Sequence, residues 1–326
     1  MDDLFAVIRL LRDRGTSIIY VSHRLEEVFE LADRVSVLKD GKMVGVVKTE
    51  EATTQQIINM MLGREMVSER RRISYASSEV VLQVEHLSSN TGIRDVSFEV
   101  RAGEVLGLAG VVGSGRTELA RLLFGVDRAT KGRIVLNGKE LKRHSIGRTI
   151  RCGMALVPED RRHEGLVLNM SVKENITLVS LKGLTRGLLI NHTRENEVVR
   201  NLIESLSIRP GDANRLTKHL SGGNQQKVVL AKWLAGNQPK MFIFDEPTQG
   251  IDVGAKAEVH RLIDTLARNG AGILLISSEV QELLNLCDRI LVMVRGRIVK
   301  SFSRDEATAT EILAYAMRKE KAAQHA

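Results

Sequence analysis

The stretch GLAGVVGSGRTELARLLFG, residues 107–125, decides how the rest of the chain is read. It continues an apolar run, EVLGLA, and leads into a helical pattern, the strand–turn–helix setting in which a glycine-rich loop cradles phosphate. Gly110, Gly113 and Gly115 permit positive φ and close backbone approach, so that amides can surround phosphate oxygens. Ser114 lies among them. The following helix start, with Arg116, Thr117 and Glu118, adds partial positive charge. Thr117 is placed to bind Mg2+. Where such a loop expects lysine this chain has Arg116, which keeps the charge. Its planar fork is not a compact ammonium that can sit between β- and γ-phosphates. Nucleotide binding is therefore expected to survive better than hydrolysis.

Two further elements stand in a meaningful order behind this loop. MFIFDEP, residues 241–247, is an apolar strand ending in two carboxylates. Asp245 can hold hydrated Mg2+, and Glu246 can polarise or deprotonate an attacking water. Acids often end buried strands, so this pair alone is weak. Between loop and carboxylates lies LSGGNQQKVVLAKWL, residues 220–234, where Ser221, Gly222 and Gly223 offer a hydroxyl and free amides at a helix start. A plain Gly-Gly helix cap is the competing explanation for that segment.

The chain also repeats itself. IIYVSHR (18–24) aligns with ILLISSE (273–279) at an offset of 255 residues. Held without a gap, that offset carries Gly15 onto Gly270, Asp33-Arg34 onto Asp288-Arg289, Gly41 onto Gly296 and Glu51-Ala52-Thr53 onto Glu306-Ala307-Thr308. The first copy reads as an amphipathic helix (Leu4, Val7, Ile8, Leu11) ended by Gly15. A short buried strand at TSIIYVS follows, then a helix from about Leu25, a strand at RVSVLKD, a turn at Asp40-Gly41 and a helix from about Thr53 to Leu62. Residues 64–78, REMVSERRRISYASS, lack periodicity and read as linker. The domain scheme is thus 1–62, the end of one domain; 63–79, linker; 80–318, a complete second copy; and 319–326, a tail.

Composition narrows the classes. With 43% hydrophobic residues the chain can bury a sizeable core, and no apolar run approaches the roughly 20 residues of a membrane span. Cys152 and Cys287 are too few and too distant for a disulfide framework or a metal site, and read as buried thiols in a reducing cytosol. The net charge of +8 admits nucleic acid, yet only 3% of residues are aromatic, so no stacking platform is evident. Arg70, Arg71 and Arg72 read as a solvated, flexible charge run.

GVVGSGRT, LSGGNQQK, FDEPTQGID and the closing SSE segment together resemble an ATP-binding cassette ATPase. VPEDRRHEGLVLNMSVKENITL (157–178) makes the chain similar to the second cassette of the tandem ATPases of bacterial ribose-, galactose- and xylose-type importers. That resemblance implies ATP and Mg2+ as cofactors, with two cassettes meeting head to tail around each nucleotide. It implies as partners membrane permease subunits, an extracytoplasmic sugar-binding protein indirectly, and another cassette to complete a site, with no nucleic acid. The implied location is peripheral, on the cytoplasmic face of the plasma (inner) membrane. It assigns ATP contacts to Gly110, Gly113, Ser114, Gly115, Arg116, Thr117 and Glu118, and trans contacts to Ser221, Gly222, Gly223 and Gln225. Mg2+ falls to Thr117, Asp245 and Glu159, water activation to Glu246, the switch role to His23, and the inter-cassette loop to Asp252. About 177 residues of the first cassette, by the repeat offset, are expected to be missing by N-terminal truncation. Residues 1–62 should then pack poorly or borrow contacts.

The second copy departs from the family pattern at Arg116, at Ser278 in the switch position, at Glu159 where glutamine is usual, and in lacking an aromatic near LSSNTGIRDVSF. These changes suggest a site that binds ATP and turns it over poorly. A non-hydrolysing regulatory cassette is accordingly the alternative. A DNA-repair or chromosome-organising ATPase would need heptad arms between Thr117 and Ser221, where none is sustained. A ribosome-associated cassette protein would need a long helical linker. The expected fold is α/β: a P-loop NTPase of the cassette type with a mostly parallel sheet, an antiparallel part carrying the Asn137-Gly138 turn, and a helical subdomain at about 165–235. The loop from Pro158 to Lys173 is where a permease helix is expected to dock, with Glu159 and Arg162 involved.

Overall fold

The computed structural model describes residues 2–21, 25–39, 42–53, 56–57, 60, 72–142, 144–186, 189–236 and 239–317. His23, the Asp40-Gly41 turn, linker residues 63–71 and the tail 319–326 lie outside the described residues, as does part of the helix expected at 53–62. The chain divides into two units, residues 1–70 with 252–257, and residues 71–251 with 258–326.

In the smaller unit, α1 (Asp2–Asp13) and α2 (Leu25–Leu31) precede an antiparallel hairpin of β1 (Arg34–Lys39) and β2 (Lys42–Lys48). Val35, Val37 and Ile57 form a small core with Val28, Phe29 and Val47 packed on it. The apolar stripe of α1 is only partly covered: Phe5 is buried, while Val7 and Leu11 are exposed. The expected buried strand at TSIIYVS is not formed. Residues 16–21 are irregular, with Ile19 94% and Val21 90% exposed. A strand needs a neighbour to accept its backbone hydrogen bonds, and among the described residues none pairs with this stretch.

The larger unit has such neighbours. Its main sheet has the order β14-β13-β5-β12-β11-β8, where β5 is Val105–Ala109, β8 Met154–Val157, β11 Met241–Asp245, β12 Gly272–Ile276, β13 Arg289–Val294 and β14 Arg297–Ser303. Only β14 is antiparallel. The inner strands read as unbroken apolar runs because both faces are covered, and every residue of β5, β11 and β12 is buried. A second, antiparallel sheet runs β4-β3-β6-β7, from β3 (Val80–Ser89), β4 (Val96–Arg101), β6 (Ala129–Leu136) and β7 (Lys139–Glu140). Its β6–β7 turn is the expected Asn137-Gly138, at φ 49° and 72°.

After α4 (Ile146–Arg151), the helical part carries α5 (Val172–Thr177), opened by a Ser171–Glu174 capping box, α6 (His192–Ser205) and α7 (Gly222–Leu234). Trp233 Nε1 donates to Leu156 O at 2.9 Å and ties α7 to the sheet. A short hairpin of β9 (Thr185–Arg186) and β10 (Leu189–Ile190) interrupts this mainly helical stretch.

The repeat extends from letters to geometry. At the same offset of 255, Leu25–Leu31 corresponds to helix Val280–Leu286, β1 to β13 and β2 to β14, residue for residue at both ends. Even the β-bulge at Val37/Leu38 recurs at Val292/Met293. The counterpart of irregular residues 17–21 is β12, paired on both sides in the middle of the sheet.

Two readings of the sequence are corrected. Arg72 is not a solvated charge: its side chain is 3% exposed. Nη1 reaches both carboxylate oxygens of Asp288 at 3.1–3.2 Å, and Nη2 donates to Gly103 O at 3.1 Å. Asp288 also accepts from Val105 N at 2.9 Å, so the guanidinium completes a buried joint at the starts of β5 and β13. Cys287 is buried as expected, but Cys152 is half-buried. Removing one partner of a buried pair strands the other, at a cost of about 3 kcal/mol or more. R72A should lower unfolding free energy by about that amount in urea titrations, and R72K by less. An unchanged midpoint for R72A would mean the joint contributes nothing.

Candidate functional site

The loop after β5 has the backbone its glycines foretold. Gly113 and Gly115 sit at φ 78° and 106°. A Cβ on Gly110 would fall 2.5 Å from Ser114 Oγ and 2.6 Å from Met293 O, so only glycine fits. Ser114 N donates to Val111 O at 3.0 Å, and Gly296 N donates to Ser114 O at 2.7 Å, which pins the loop to the β13–β14 turn. The Ser114 hydroxyl is buried and has no partner among the described residues. Helix α3 (Arg116–Phe124) starts at the end of the loop, with Thr117 and Glu118 half-buried in its first turn. A loop of this shape, feeding a helix N-terminus, can bind an anion through its amides.

Arg116 is turned toward the carboxylates. Its Nη1 donates to Ser277 O at 2.8 Å, and its Nη2 lies 3.2 Å from Glu246 Oε1. Both side chains of that pair are 9% exposed. Ser278 Oγ donates to Glu246 Oε2 at 3.0 Å, so both oxygens of Glu246 are engaged. Glu246 has φ +46°, an uncommon conformation for a non-glycine residue, and its N donates to Ile276 O at 3.0 Å.

Asp245, one residue earlier, faces the opposite problem. It is 2% exposed, and Oδ1 has no partner among the described residues. Burial pushes its pKa up to about 7, a hydrogen bond with Thr117 opposes that, and the charges of Glu159 and Glu246 reinforce it. Glu159 follows β8 and Pro158 and is exposed. A buried carboxylate with a spare lone pair, beside a threonine hydroxyl and near a second carboxylate, is an oxygen donor set that suits Mg2+. Among the described residues no three His, Cys, Asp or Glu side chains close around a metal. An ion that keeps waters and phosphate oxygens as ligands needs no such cage.

The LSGG segment is elsewhere. Ser221 is the exposed N-cap of α7, its Oγ accepting from Asn224 Nδ2 at 2.9 Å, and Gly223 is buried. Among the described residues no hydrogen bond or ion pair joins Ser221, Gly222 or Gly223 to the phosphate loop. Gln225 points inward, its Nε2 donating to Thr217 O at 3.1 Å. Its amide therefore holds the preceding turn, and of the segment only Ser221 is exposed. Asp252 is exposed, and its Oδ1 accepts from Ala255 N at 2.9 Å as an N-cap would. His23 lies outside the described residues. Sequence reasoning passed over Ser277, whose carbonyl anchors Arg116, and Arg161. No side-chain motif marks a carbonyl, and Arg161 stood in a run of charges.

Asp245 also sets a pH dependence. Its folded pKa lies above its ordinary value of 3.8, so the stabilisation from its neutral form is complete below about 3.8 and is lost as pH rises through about 7. D245N should flatten the decline in stability between pH 4 and 8 seen in thermal melts without nucleotide. A variant whose pH profile matches the parent would place the titration elsewhere.

Residues 93–249 match the family model described as ABC transporter. The chain is 44% identical over 96% of its length to the ribose import ATP-binding protein RbsA of Clostridium tetani, covering 62% of that protein. It is 48% identical over 91% of its length to the protein of the same name from Chromobacterium violaceum, covering 59% of it. The chain thus spans about three fifths of the length of these curated relatives. Among solved structures, an ATP-binding subunit of an ABC transporter aligns at TM-score 0.61 and 23% identity, over 73% of this chain and 100% of that one. An ATP-binding cassette in its ADP conformation aligns at TM-score 0.61 and 22% identity, over 73% and 99%. Sequence likeness and shared fold agree with the glycine-rich loop and carboxylate pair: residues 93–249 match the ABC transporter family, on the fold of an ATP-binding cassette.

Proposed function

We propose that this chain is an ATP-binding subunit of an ABC importer for a monosaccharide, binding Mg-ATP and hydrolysing it to drive a membrane permease. The observation that carries the reading is the convergence of the phosphate loop, Thr117, Asp245 and Glu246 at the ends of β5 and β11. Amides from Gly110 to Gly115 hold the phosphates, Thr117 and Asp245 hold Mg2+ with Glu159 nearby, and Glu246 orients or deprotonates the attacking water. Mg2+ held there would supply positive charge against the phosphates of the nucleotide. Ser221, Gly222 and Gly223 face another cassette, and Asp252 belongs to the contact between cassettes. The names of the relatives support ribose or a similar sugar as cargo. Permease subunits and the cytoplasmic face of the inner membrane follow from the same reading. No helix among the described residues is long and apolar enough to cross a membrane.

We further propose the domain scheme of a first-cassette C-terminal portion at 1–62, a linker at 63–79 and a second cassette at 80–318. The element-by-element correspondence at offset 255 supports it.

One observation favours a second reading, a cassette that binds ATP with little turnover. Glu246 is held by Arg116 on one oxygen and Ser278 on the other. Both partners occupy the oxygens that would have to reach the attacking water. R116K should release Glu246 and raise ATP turnover by about tenfold, measured as phosphate release with saturating Mg-ATP. E246Q should cut turnover at least about a hundredfold while leaving nucleotide binding intact. Turnover untouched by E246Q would reject hydrolysis at this site. Turnover absent in both parent and R116K would leave the binding-only cassette as the correct reading.

A further inference from the structure

Arg161 opens a single turn of π-helix, Arg161–Gly165, that follows the exposed Glu159 and is capped by Asp160. Its guanidinium leaves that turn and crosses to a different part of the fold. Nη1 donates to Gln249 O at 2.9 Å, and Nη2 donates to Gly250 O at 3.3 Å. These carbonyls lie in the loop that carries Glu246 onward from β11, three and four residues past it. The same Nη2 lies against the first residue of α7. A Cβ built on Gly222 would stand 2.7 Å from it and 3.2 Å from Gly250 O. A methyl group at Gly222 would displace the guanidinium and crowd Gly250 O, so glycine there leaves room for the Arg161 contact independently of any nucleotide. Burial depresses the Arg161 pKa, and its Nε has no partner among the described residues, so the charge is held in place by these two carbonyls.

We infer that Arg161 is a positioning residue, a clamp holding the Glu159 turn, the Gln249–Gly250 loop and the start of the LSGG helix in one register. Two donors on one rigid plane fix the loop carbonyls relative to each other and to the helix start, which a single flexible ammonium cannot do. A shift of the turn at Glu159 is then passed to Gly222 and to the loop behind Glu246 together. The inference rests on the proposed ATP site for its functional meaning, while the clamp itself requires no nucleotide.

Hydrogen exchange on the whole chain, read by mass spectrometry, separates the two. In R161A without nucleotide, peptides covering 247–251 and 221–226 should both exchange at least about tenfold faster, since two charge-assisted bonds are lost. The phosphate-loop peptide 107–118 should be unchanged. Adding a non-hydrolysable Mg-ATP analogue should slow exchange at 221–226 in the parent chain and not in R161A, even where the analogue's Kd differs by less than about threefold. A residue needed only for folding would leave that nucleotide response intact. Unchanged exchange at both segments in R161A overturns the clamp. If R161A loses protection throughout, R161K decides: faster exchange confined to the two segments supports the clamp, and parent-like exchange there overturns it. A parent chain that binds no analogue refutes the proposed ATP site, while the exchange comparison without nucleotide still judges the clamp.

Discussion

The structure turns on the requirement that every buried strand have neighbours to take its backbone hydrogen bonds. β5 is flanked by β13 and β12, and β12 by β5 and β11, so the phosphate loop leaves the sheet from its best-supported strand. The chain contains its own control for this rule. SIIYV at 17–21 and GILLI at 272–276 occupy equivalent places in the repeat and are similarly apolar. The second is fully buried at the centre of a sheet, and the first is irregular and largely exposed. Nothing in the local letters accounts for the difference. The available ladder does.

The C-terminal ends of β5 and β11 bring charges of both signs together. Asp245 is buried without a full set of partners, which favours its proton until a cation takes that place. Glu246 is buried with partners on both oxygens, which fixes the position of its side chain. Two adjacent carboxylates thus have different surroundings, one with an open oxygen and one with both oxygens occupied. Arg116 is central to both, as the cation nearest Glu246 and as a charge that opposes the rise at Asp245.

Much of the site could be read from residue order alone. The glycines of 110–115 announce positive φ because no other residue tolerates it cheaply, and the loop adopts it at Gly113 and Gly115. Other residues misled. Gln225 sits in a motif that suggests an outward contact, yet its helical position turns the amide back to Thr217 O. Arg72 lies in a polar, aperiodic run that reads as solvated, yet it is buried against an acid 216 residues away. Arg161 looked like one more charge beside Arg162 and His163, and its two acceptors are backbone carbonyls that have no signature in sequence.

By itself the sequence determined most of the elements, their order, the repeat, and the residue types of the glycine-rich loop and carboxylate pair. Those properties are local: turn chemistry, apolar period and residue type act over a few neighbours. Tertiary structure alone decided which apolar run became a strand, which arginine became buried, and how Arg116, Glu246 and Ser278 share one charge balance. Each of these depends on partners distant in the chain, whose distances and burial exist only once the sheet has closed around them.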